Sequence, residues 1–311
     1  MATTATEPVS TRVTELRERL GRVVAIDDAT LDAVLVALFA GGHVLIEGVP
    51  GIGKTLLART LARCVDCEFR RIQFTNDLMP TDVVGAQVWR SGSETFEFVP
   101  GPLFANIVLA DEINRTSPRT LSCLLEAMEN GKVTVEGRPH ELADPFLVLA
   151  TRNPIEFHGT FPVPEAALDR FLVRVELGYP SAERELALYR GESPEALLAA
   201  LHPVLDRATL RRAIERTRRV AIAEPVARYA LRVVDATRHD DALMLGASPR
   251  AAIAWLAAGR ARAFLMGRDF VLPDDLKQLA VAVLAHRLIR KDGGPSAEVV
   301  EQTLARIRVE L

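Results

Sequence analysis

The segment from Gly48 to Thr55 has the residue types and the spacing of a phosphate-binding loop. It reads Gly48-Val49-Pro50-Gly51-Ile52-Gly53-Lys54-Thr55 and matches the pattern G-x-x-x-x-G-K-[ST]. In such a loop the glycines let successive backbone N–H groups face phosphate oxygens, the lysine reaches the β- and γ-phosphates, and the hydroxyl binds Mg²⁺. We therefore predict a triphosphate site with Mg²⁺ at Thr55, and we include the next residue, Leu56, among the nucleotide contacts.

Two acidic residues, Asp111 and Glu112, directly follow the apolar run Ile107–Ala110. A strand that is buried on both faces tolerates carboxylates only where it emerges at the ligand-binding edge of its sheet. We expect Asp111 to provide a second contact to Mg²⁺, through water, and Glu112 to orient or activate the attacking water. Because a phosphate-binding loop precedes them in the chain, these acids predict hydrolysis of the terminal phosphate.

A third polar group follows another apolar run, Phe146–Ala150. The chain continues as Thr151-Arg152-Asn153-Pro154, and Asn153 is the residue that we expect to contact the γ-phosphate or the attacking water. An asparagine before a proline is also common in ordinary turns. Residue spacing alone leaves both interpretations of Asn153 open.

Five apolar runs of strand length predict a mostly parallel sheet with helices on both faces, which is an α/β fold. They are His43–Ile46, Phe69–Phe74, Ile107–Ala110, Phe146–Ala150 and Leu172–Leu177. Helical spacing is found at Val13–Leu20, at Thr30–Ala40 with Asp28 as its expected cap and Gly41-Gly42 as its end, and at Leu56–Cys64.

Two further segments alternate apolar and polar residues around turn residues, and both predict β-hairpins. They are Gly85–Val99, around Ser91-Gly92-Ser93, and Lys132–Leu142, around Glu136-Gly137. Spacing alone leaves open whether they are functional insertions or surface decoration. After Pro180 only helical spacing continues, at Leu186–Tyr189, Leu210–Thr217, Val226–Thr237, Ala251–Phe264, Leu276–Leu288 and Val299–Ile307. We therefore predict a nucleotide-binding αβα domain over residues 1–180 and an all-helical domain over 181–311.

Composition argues for a protein of the cytoplasm without a membrane span. The 38 basic and 41 acidic residues give a net charge of −3, which provides no general attraction to nucleic acid or anionic lipid. The apolar run Ala33–Ile46 is broken by glycine and is shorter than the ~20 residues that a span requires. The polar segment Met1–Ser10 lacks the apolar core of a signal peptide.

The cysteines are Cys64, Cys67 and Cys123, an odd and sparse set that does not fit a secreted disulfide framework. Cys64 and Cys67 form a C-x-x-C motif, which fits a redox pair or half of a zinc site. No second pair completes a metal shell, so two small residues at a helix end are the favoured interpretation.

The order of motifs along the chain resembles the MoxR family of AAA+ ATPases. After the P-loop come DEIN (Asp111–Asn114), AT-x-NP (Ala150–Pro154), PEA-x-LDRF (Pro164–Phe171) and ASPRA (Ala247–Ala251). The resemblance spans roughly residues 20–290. It implies an AAA+ P-loop αβα core with a parallel sheet, followed by an all-helical lid domain. It also implies two β-hairpin insertions, one in the second helix and one before the sensor strand, which favours a functional interpretation of both predicted hairpins.

The resemblance also assigns roles to three residues outside the P-loop and the acid pair. Asn153 resembles the sensor 1 residue. Arg170 resembles the arginine finger, which acts on the nucleotide of a neighbouring subunit, and Arg250 resembles the sensor 2 arginine, which the lid lays against the phosphates. An arbitrary arginine is usually a solvated salt-bridge partner. For Arg115, after the acid pair, a neighbour-facing role and a local one stay equally open.

The stretch Gly21–Asp27 falls where the family often has a V-V-G-Q-like segment that packs on adenine. Val23 and Val24 are therefore the expected adenine contacts. Ala25-Ile26 replaces Gly-Gln here, which weakens the match at this point. The chain has no guanine-reading N-K-x-D motif, so ATP is the expected nucleotide.

The family resemblance implies an ATP hydrolase that works in a homo-oligomeric ring, usually a hexamer. The ring would remodel or mature a client protein in a chaperone-like manner or by metal-cofactor insertion, often with a von Willebrand factor A domain partner. Two other classes are a nucleotide-dependent switch or scaffold with slow hydrolysis and a nucleic-acid motor. Glu112 disfavours the first, and the net charge of −3 with only four lysines disfavours the second.

Overall fold

The computed structural model describes residues 9–153 and 159–309, with side chains from Thr11 onward. Pro154 of the AT-x-NP motif and most of the N-terminal tail lie outside this part of the chain. The strands are β1 (Val44–Glu47), β2 (Phe69–Gln73), β3 (Gly85–Arg90), β4 (Thr95–Pro100), β5 (Ile107–Asp111), β6 (Lys132–Val135), β7 (Arg138–Glu141), β8 (Leu147–Arg152), β9 (Val173–Glu176), β10 (Leu243–Leu245) and β11 (Ile289–Arg290).

The helices begin before the first strand and dominate the chain after β9. They are α1 (Val9–Val23), α2 (Asp28–Ala40), α3 (Lys54–Cys64), α4 (Pro80–Val84), α5 (Pro118–Asn130), α6 (Glu165–Leu168), α7 (Ala182–Tyr189), α8 (Pro194–Ala199), α9 (Arg207–Arg218), α10 (Glu224–Arg238), α11 (Pro249–Leu265), α12 (Pro273–Leu284) and α13 (Ala297–Arg306). Short 3-10 turns cover Ile113–Arg115 and Ala285–Arg287.

Five strands form one parallel sheet in the order β2-β5-β8-β1-β9. Each of the five predicted strands is present, with ends that differ by one or two residues at most. Because the strands are parallel, all of their carboxyl ends lie at the same edge of the sheet. The loops that follow β1, β5 and β8 therefore come together there.

Alternate side chains of the sheet enter two hydrophobic clusters, one on each face. In β1, Val44 and Ile46 pack into the cluster that contains α1, α2 and α3, whereas Leu45 packs into the cluster that contains α4 and α5. Burial of both faces explains why these strands read as unbroken apolar runs in the sequence.

The ends of α2 show one difference from the sequence expectation. Asp27, and not Asp28, is the N-cap, and its carboxylate accepts a hydrogen bond of 2.8 Å from the backbone N–H of Thr30. Asp28 is the first helical residue. At the other end Gly41 adopts φ +68°, the left-handed conformation that closes a helix and that glycine tolerates best.

Both predicted hairpins are present as antiparallel pairs, β3 with β4 and β6 with β7. The first follows α4, which has only five residues. The turn of the second contains Glu136 and Gly137 with φ of +48° and +76°, the signs that a two-residue hairpin turn of type I′ requires.

The region after residue 180 is helical, as predicted, with two additions. Helix α8 was not predicted, and β10 pairs with β11 in a small antiparallel sheet. This region shares a core with the first, because Phe39 of α2 and Phe264 of α11 lie with ring centroids 5.9 Å apart. The division into domains at residue 180 stays a prediction.

Two negative findings concern the described part of the chain. Over residues 9–153 and 159–309, every helix is too short or too polar to cross a membrane. Within the same ranges the side chains of His, Cys, Asp and Glu do not gather into a metal-binding group.

Cys64 and Cys67 are free thiols, and burial raises the pKa of each to about 11, which opposes redox chemistry. This favours the interpretation of the C-x-x-C motif as two small residues at the end of α3.

Candidate active site

The P-loop connects β1 to α3 at the carboxyl edge of the sheet. Gly51 and Gly53 have φ of +85° and +95°, which non-glycine residues rarely adopt. At Gly48 a side chain is excluded, because a Cβ atom there would lie 2.6 Å from the carbonyl oxygen of Leu177. The Lys54 ammonium donates a hydrogen bond to the carbonyl of Gly48 and so lies over the loop.

The loop has the form of an anion cradle. The N–H groups of Gly51 and Gly53 have no hydrogen-bond partner among the residues that the structure covers, and the space next to both glycines is open. The first turn of α3, which begins at Lys54, adds further N–H groups and the positive end of the helix dipole. The residues present therefore fit a bound phosphate chain.

A cavity of about 150 Å³ adjoins the P-loop on the side of α1. Val23 and Val24, the predicted adenine contacts, line it together with Ile52 and Leu56. Its opposite wall comes from α7 and α8 and the loops around them, with Arg184, Leu188 and Leu197 among its members. Sequence reasoning missed this wall, because no motif marks it.

The Asp111 carboxylate is held by two other strands of the sheet. The Thr151 hydroxyl on β8 donates to Asp111 Oδ1, and Arg71 on β2 donates to Oδ2 at 2.6 Å. The backbone N–H of Glu112 in turn donates to the Thr151 hydroxyl at 2.8 Å. Thr151 therefore ties the two acids together, although the sequence did not single it out.

Glu112 stands at a sharp bend of the chain. Its φ of +58° is left-handed, a conformation that costs a residue with a side chain of the order of 1–3 kcal/mol. Its Oε2 atom accepts hydrogen bonds from Gln73 at 2.7 Å and from Arg115 at 3.2 Å. Arg115 thus makes a local contact to the predicted base.

Asn153 directly follows β8, and it is buried. Since β8 lies between β5 and β1 in the sheet, Asn153 emerges between the acid pair and the P-loop. Adjacent strands are about 4.8 Å apart, so these groups lie within reach of one triphosphate. Nearby, the buried carboxylate of Glu47 pairs with Arg152 and, at 3.8 Å, with Arg174.

The chemistry of the donor set fits Mg²⁺. Thr55 and Asp111 offer a hydroxyl and a carboxylate, the oxygen ligands that this ion prefers. Mg²⁺ is commonly held by one or two protein groups together with substrate phosphates. These two residues would hold it at the P-loop.

Arg170 and Arg250 lie at the opposite edge of the sheet. Both guanidinium groups donate to Glu129, at 2.7 Å and 3.0 Å, near the carboxyl end of α5. The 13 residues of α5 span about 20 Å and lead away from the acid pair at its start. The structure therefore brings together the P-loop, the acids, Asn153 and the two valines, and it separates both arginines from them.

Comparisons with known proteins agree with this architecture. The chain matches the family described as "ATPase family associated with various cellular activities (AAA)" over residues 43–173 and the AAA lid domain over residues 235–307. It is 42% identical over 279 residues to Chaperone MoxR1 of Mycobacterium tuberculosis, covering 86% of this chain and 73% of the relative. The chain belongs to the MoxR family of AAA+ ATPases.

Two further comparisons extend over most of the chain. This MoxR-family chain is 44% identical over 283 residues to YeaC of Bacillus subtilis, with 88% of both chains covered. A crystal structure of a protein from Cytophaga hutchinsonii, provisionally named an ATPase, matches with a TM-score of 0.87 and 34% identity, covering 97% of this chain and 96% of that one. The predicted fold class, a AAA+ core with a lid, is confirmed.

Proposed function

We propose that this MoxR-family protein binds ATP with Mg²⁺ and hydrolyses its terminal phosphate. One observation supports the proposal most directly: Lys54, the acid pair and Asn153 emerge at a single edge of one parallel sheet. Backbone N–H groups of the loop and the Lys54 ammonium would bind the phosphates. Mg²⁺, when bound, would neutralise charge on the β- and γ-phosphate oxygens.

The contacts of Glu112 indicate how it would act on water. Both of the hydrogen bonds that its side chain makes to described residues use Oε2, so Oε1 is the atom that would accept a proton from the attacking water. Gln73 and Arg115 would hold the carboxylate in place during this step. Asn153 would orient the water or the γ-phosphate from the neighbouring strand.

Ala25 offers a means to select adenine. Its backbone N–H and C=O lack hydrogen-bond partners among the described residues, and it lines the cavity that Val23 and Val24 share. Adenine presents an acceptor at N1 and a donor at its amino group, and one N–H with one C=O complements them. Because this contact would use backbone atoms, it does not depend on the side chains, and the replacement of Gly-Gln by Ala25-Ile26 would leave it intact. Inosine triphosphate should then bind more weakly than ATP, whereas equal affinities would contradict this contact.

The separation of the two arginines supports a site shared between subunits. Neither Arg170 nor Arg250 lies at its own P-loop, yet both line one open groove at the opposite edge of the sheet. We propose that one protomer places both arginines against the triphosphate of the next. A head-to-tail contact of this kind closes into a ring, for which the family resemblance suggests a hexamer. Arg250 would then act on the neighbour's nucleotide and not on its own.

The hairpin of β3 and β4 supports a protein client. Trp89 and Phe96 are 50% and 67% exposed, and their rings pack edge to face with centroids 5.1 Å apart. Exposed aromatic rings provide apolar contact area for another polypeptide. We propose chaperone-like remodelling of a client protein, as the name of MoxR1 suggests, with metal-cofactor insertion and a von Willebrand factor A domain partner as narrower forms. With ATP bound, the Glu112→Gln variant should capture a client protein, and adding Trp89→Ser to that variant should abolish the capture. Equal recovery of the client by both proteins would contradict contact at the hairpin.

Mixing two inactive variants tests the shared site. Lys54→Ala should lose ATP binding, and Arg170→Ala should bind ATP but lose turnover, because an arginine finger contributes about 10³–10⁵ in rate. Mixed subunits should regain part of the activity, since an intact P-loop then meets an intact arginine from its neighbour. Arg228→Ala, which removes an exposed arginine on α10, is the matched control and should keep full turnover. Failure to regain activity at any mixing ratio would contradict the shared site.

The alternative of a slow switch or scaffold is tested by the same materials. A scaffold would bind ATP but show no faster turnover when subunits assemble. Single-turnover kinetics at low and high protein concentration separate the two functions, because only a shared site requires assembly for hydrolysis.

A further inference from the structure

Two arginines share one carboxylate at the edge of the sheet that faces away from the P-loop. Arg170 Nη2 donates to Glu129 Oε2 at 2.7 Å, and Arg250 Nη2 donates to Glu129 Oε1 at 3.0 Å. Arg170 follows β8 and precedes β9, whereas Arg250 belongs to α11 of the lid region. Glu129 therefore joins a side chain of the nucleotide-binding region to one of the lid region.

The backbone on the Arg170 side is already fixed without Glu129. The buried guanidinium of Arg287, just after α12, donates to the Asp169 carboxylate at 2.8 Å and to the carbonyl of Phe171 at 2.7 Å. Arg170 Nη1 also donates to the carbonyl of Ala166. Glu129 in addition links the guanidinium groups of Arg170 and Arg250.

Unlike a single surface ion pair, the Glu129 carboxylate keeps two like charges close together. Two guanidinium groups on one carboxylate lie within a few ångströms of each other, and without a carboxylate between them they would repel. Arg170 would keep its hydrogen bond to the Ala166 carbonyl and Arg250 would stay 4.0 Å from the Asp169 carboxylate, but nothing would hold the two guanidinium groups against each other. The interaction with Arg170, and secondarily with Arg250, lowers the pKa of Glu129, so the carboxylate is charged at neutral pH.

The groove around Glu129 is large enough for a phosphate group. It has a volume of about 360 Å³, and Gly42, Arg170 and Arg250 are among its lining residues. A phosphate presents two oxygens to guanidinium donors much as a carboxylate does. The arrangement around Glu129 therefore resembles the one that both arginines would adopt on a neighbour's γ-phosphate.

We propose that Glu129 is a positioning residue that holds Arg170 and Arg250 together, ready for the triphosphate of the neighbouring subunit. This inference rests on the proposed function, since it needs a nucleotide that is shared between protomers. Glu129 itself touches no nucleotide in its own protomer, because it lies near the far end of α5. Its loss should therefore affect turnover and leave ATP affinity unchanged.

The test compares Glu129→Ala with Glu129→Asp and with the control Glu126→Ala. Glu126 lies one turn earlier on α5 and accepts a hydrogen bond from Thr134 of the second hairpin, away from both arginines. We expect Glu129→Ala to lower kcat about ten- to a hundredfold through misplacement of the arginines, with the ATP Kd unchanged. Glu129→Asp should recover part of kcat, and Glu126→Ala should match the wild type.

Mixing of variants then shows whether Glu129 acts on the nucleotide of its own subunit or on that of the neighbouring subunit. Glu129→Ala subunits should regain turnover with Lys54→Ala subunits, which supply an intact arginine pair, and should regain none with Arg170→Ala subunits. Thermal unfolding of Glu129→Ala confirms that the fold is intact before mixing. The Lys54→Ala and Arg170→Ala mixture is the reference for the shared site itself.

Each outcome decides a separate point. If the reference mixture regains activity while Glu129→Ala keeps wild-type kcat, Glu129 does not position the arginines and the shared site stands. If Glu129→Ala loses kcat but gains nothing from Lys54→Ala, Glu129 acts within its own protomer and the inference is wrong. If the reference mixture fails, the shared site is wrong and the inference falls with it.

Discussion

Acidification from pH 7 to pH 5 should destabilise this protein through His43, which is buried just before β1. Its Nδ1 accepts a hydrogen bond of 3.0 Å from the backbone N–H of Val148, so the proton resides on Nε2, which lies 3.0 Å from the carbonyl of Met128. Burial lowers the pKa of His43 from 6.5 to about 4, because the charged ring would lose its hydration. The folded protein therefore holds His43 in its neutral form.

The size of the effect follows from the difference between the two pKa values. The folded-state pKa lies below the unfolded one, so the unfolded chain binds the proton first, and stability is lost as pH falls from about 6.5 toward 4. Through His43 alone, the free energy of unfolding should fall by about 2 kcal/mol between pH 7 and pH 5, and by about 3 kcal/mol between pH 7 and pH 4. The pKa of buried His286 is also lowered by desolvation and adds a loss of the same sign.

Urea unfolding of the wild type and of His43→Gln at both pH values measures this contribution. The variant should be less stable at pH 7, yet it should lose about 2 kcal/mol less than the wild type on acidification. His239→Gln, at the exposed C-cap of α10, is the matched control. Equal losses in the wild type and in His43→Gln would refute the reasoning, as would an NMR titration of His43 with a midpoint near 6.5.

Two further predictions concern single side chains. Thr151→Val keeps the shape of the residue but removes the hydroxyl that joins Asp111 to the N–H of Glu112. It should cost about 1–3 kcal/mol of stability and raise the Mg²⁺ concentration needed for half-maximal turnover, and an unchanged Mg²⁺ dependence would argue against this role. Asp27→Ala should cost about 1 kcal/mol in urea unfolding, because it removes the cap of α2, whereas Asp28→Ala should cost little. The reverse order of these two losses would contradict the cap assignment.

Much of the core fold was predictable because it depends on local features. A strand that is buried on both faces must be apolar throughout, so β1, β5 and β8 were visible as runs of hydrophobic residues. The P-loop needs glycines at particular positions for backbone reasons, and it carries its own signature. Helix ends were less certain, since Asp27 and Asp28 are both good caps and only the structure shows which carboxylate meets Thr30.

The supporting contacts of the acid pair were not predictable, since they cross between strands. Arg71 and Gln73 point to the same side of β2 by simple alternation, but their value depends on β2 lying next to β5. Thr151 likewise became important only when β8 was placed between β5 and β1. Strand order is a property of the whole fold, and hydrophobic periodicity contains no record of it.

The sequence by itself determined the chemistry at one edge of the sheet, namely the phosphate-binding loop, the two acids and the asparagine. Each of these lies at or just after the carboxyl end of a strand, and parallel strands must all end at the same edge. Only the tertiary structure decided where the arginines belong. Arg170 and Arg250 are 80 residues apart in the chain, yet they meet at Glu129 about 20 Å along α5 from the acid pair. Packing of the lid region on the core brings them together, and motif spacing cannot report a contact that depends on packing.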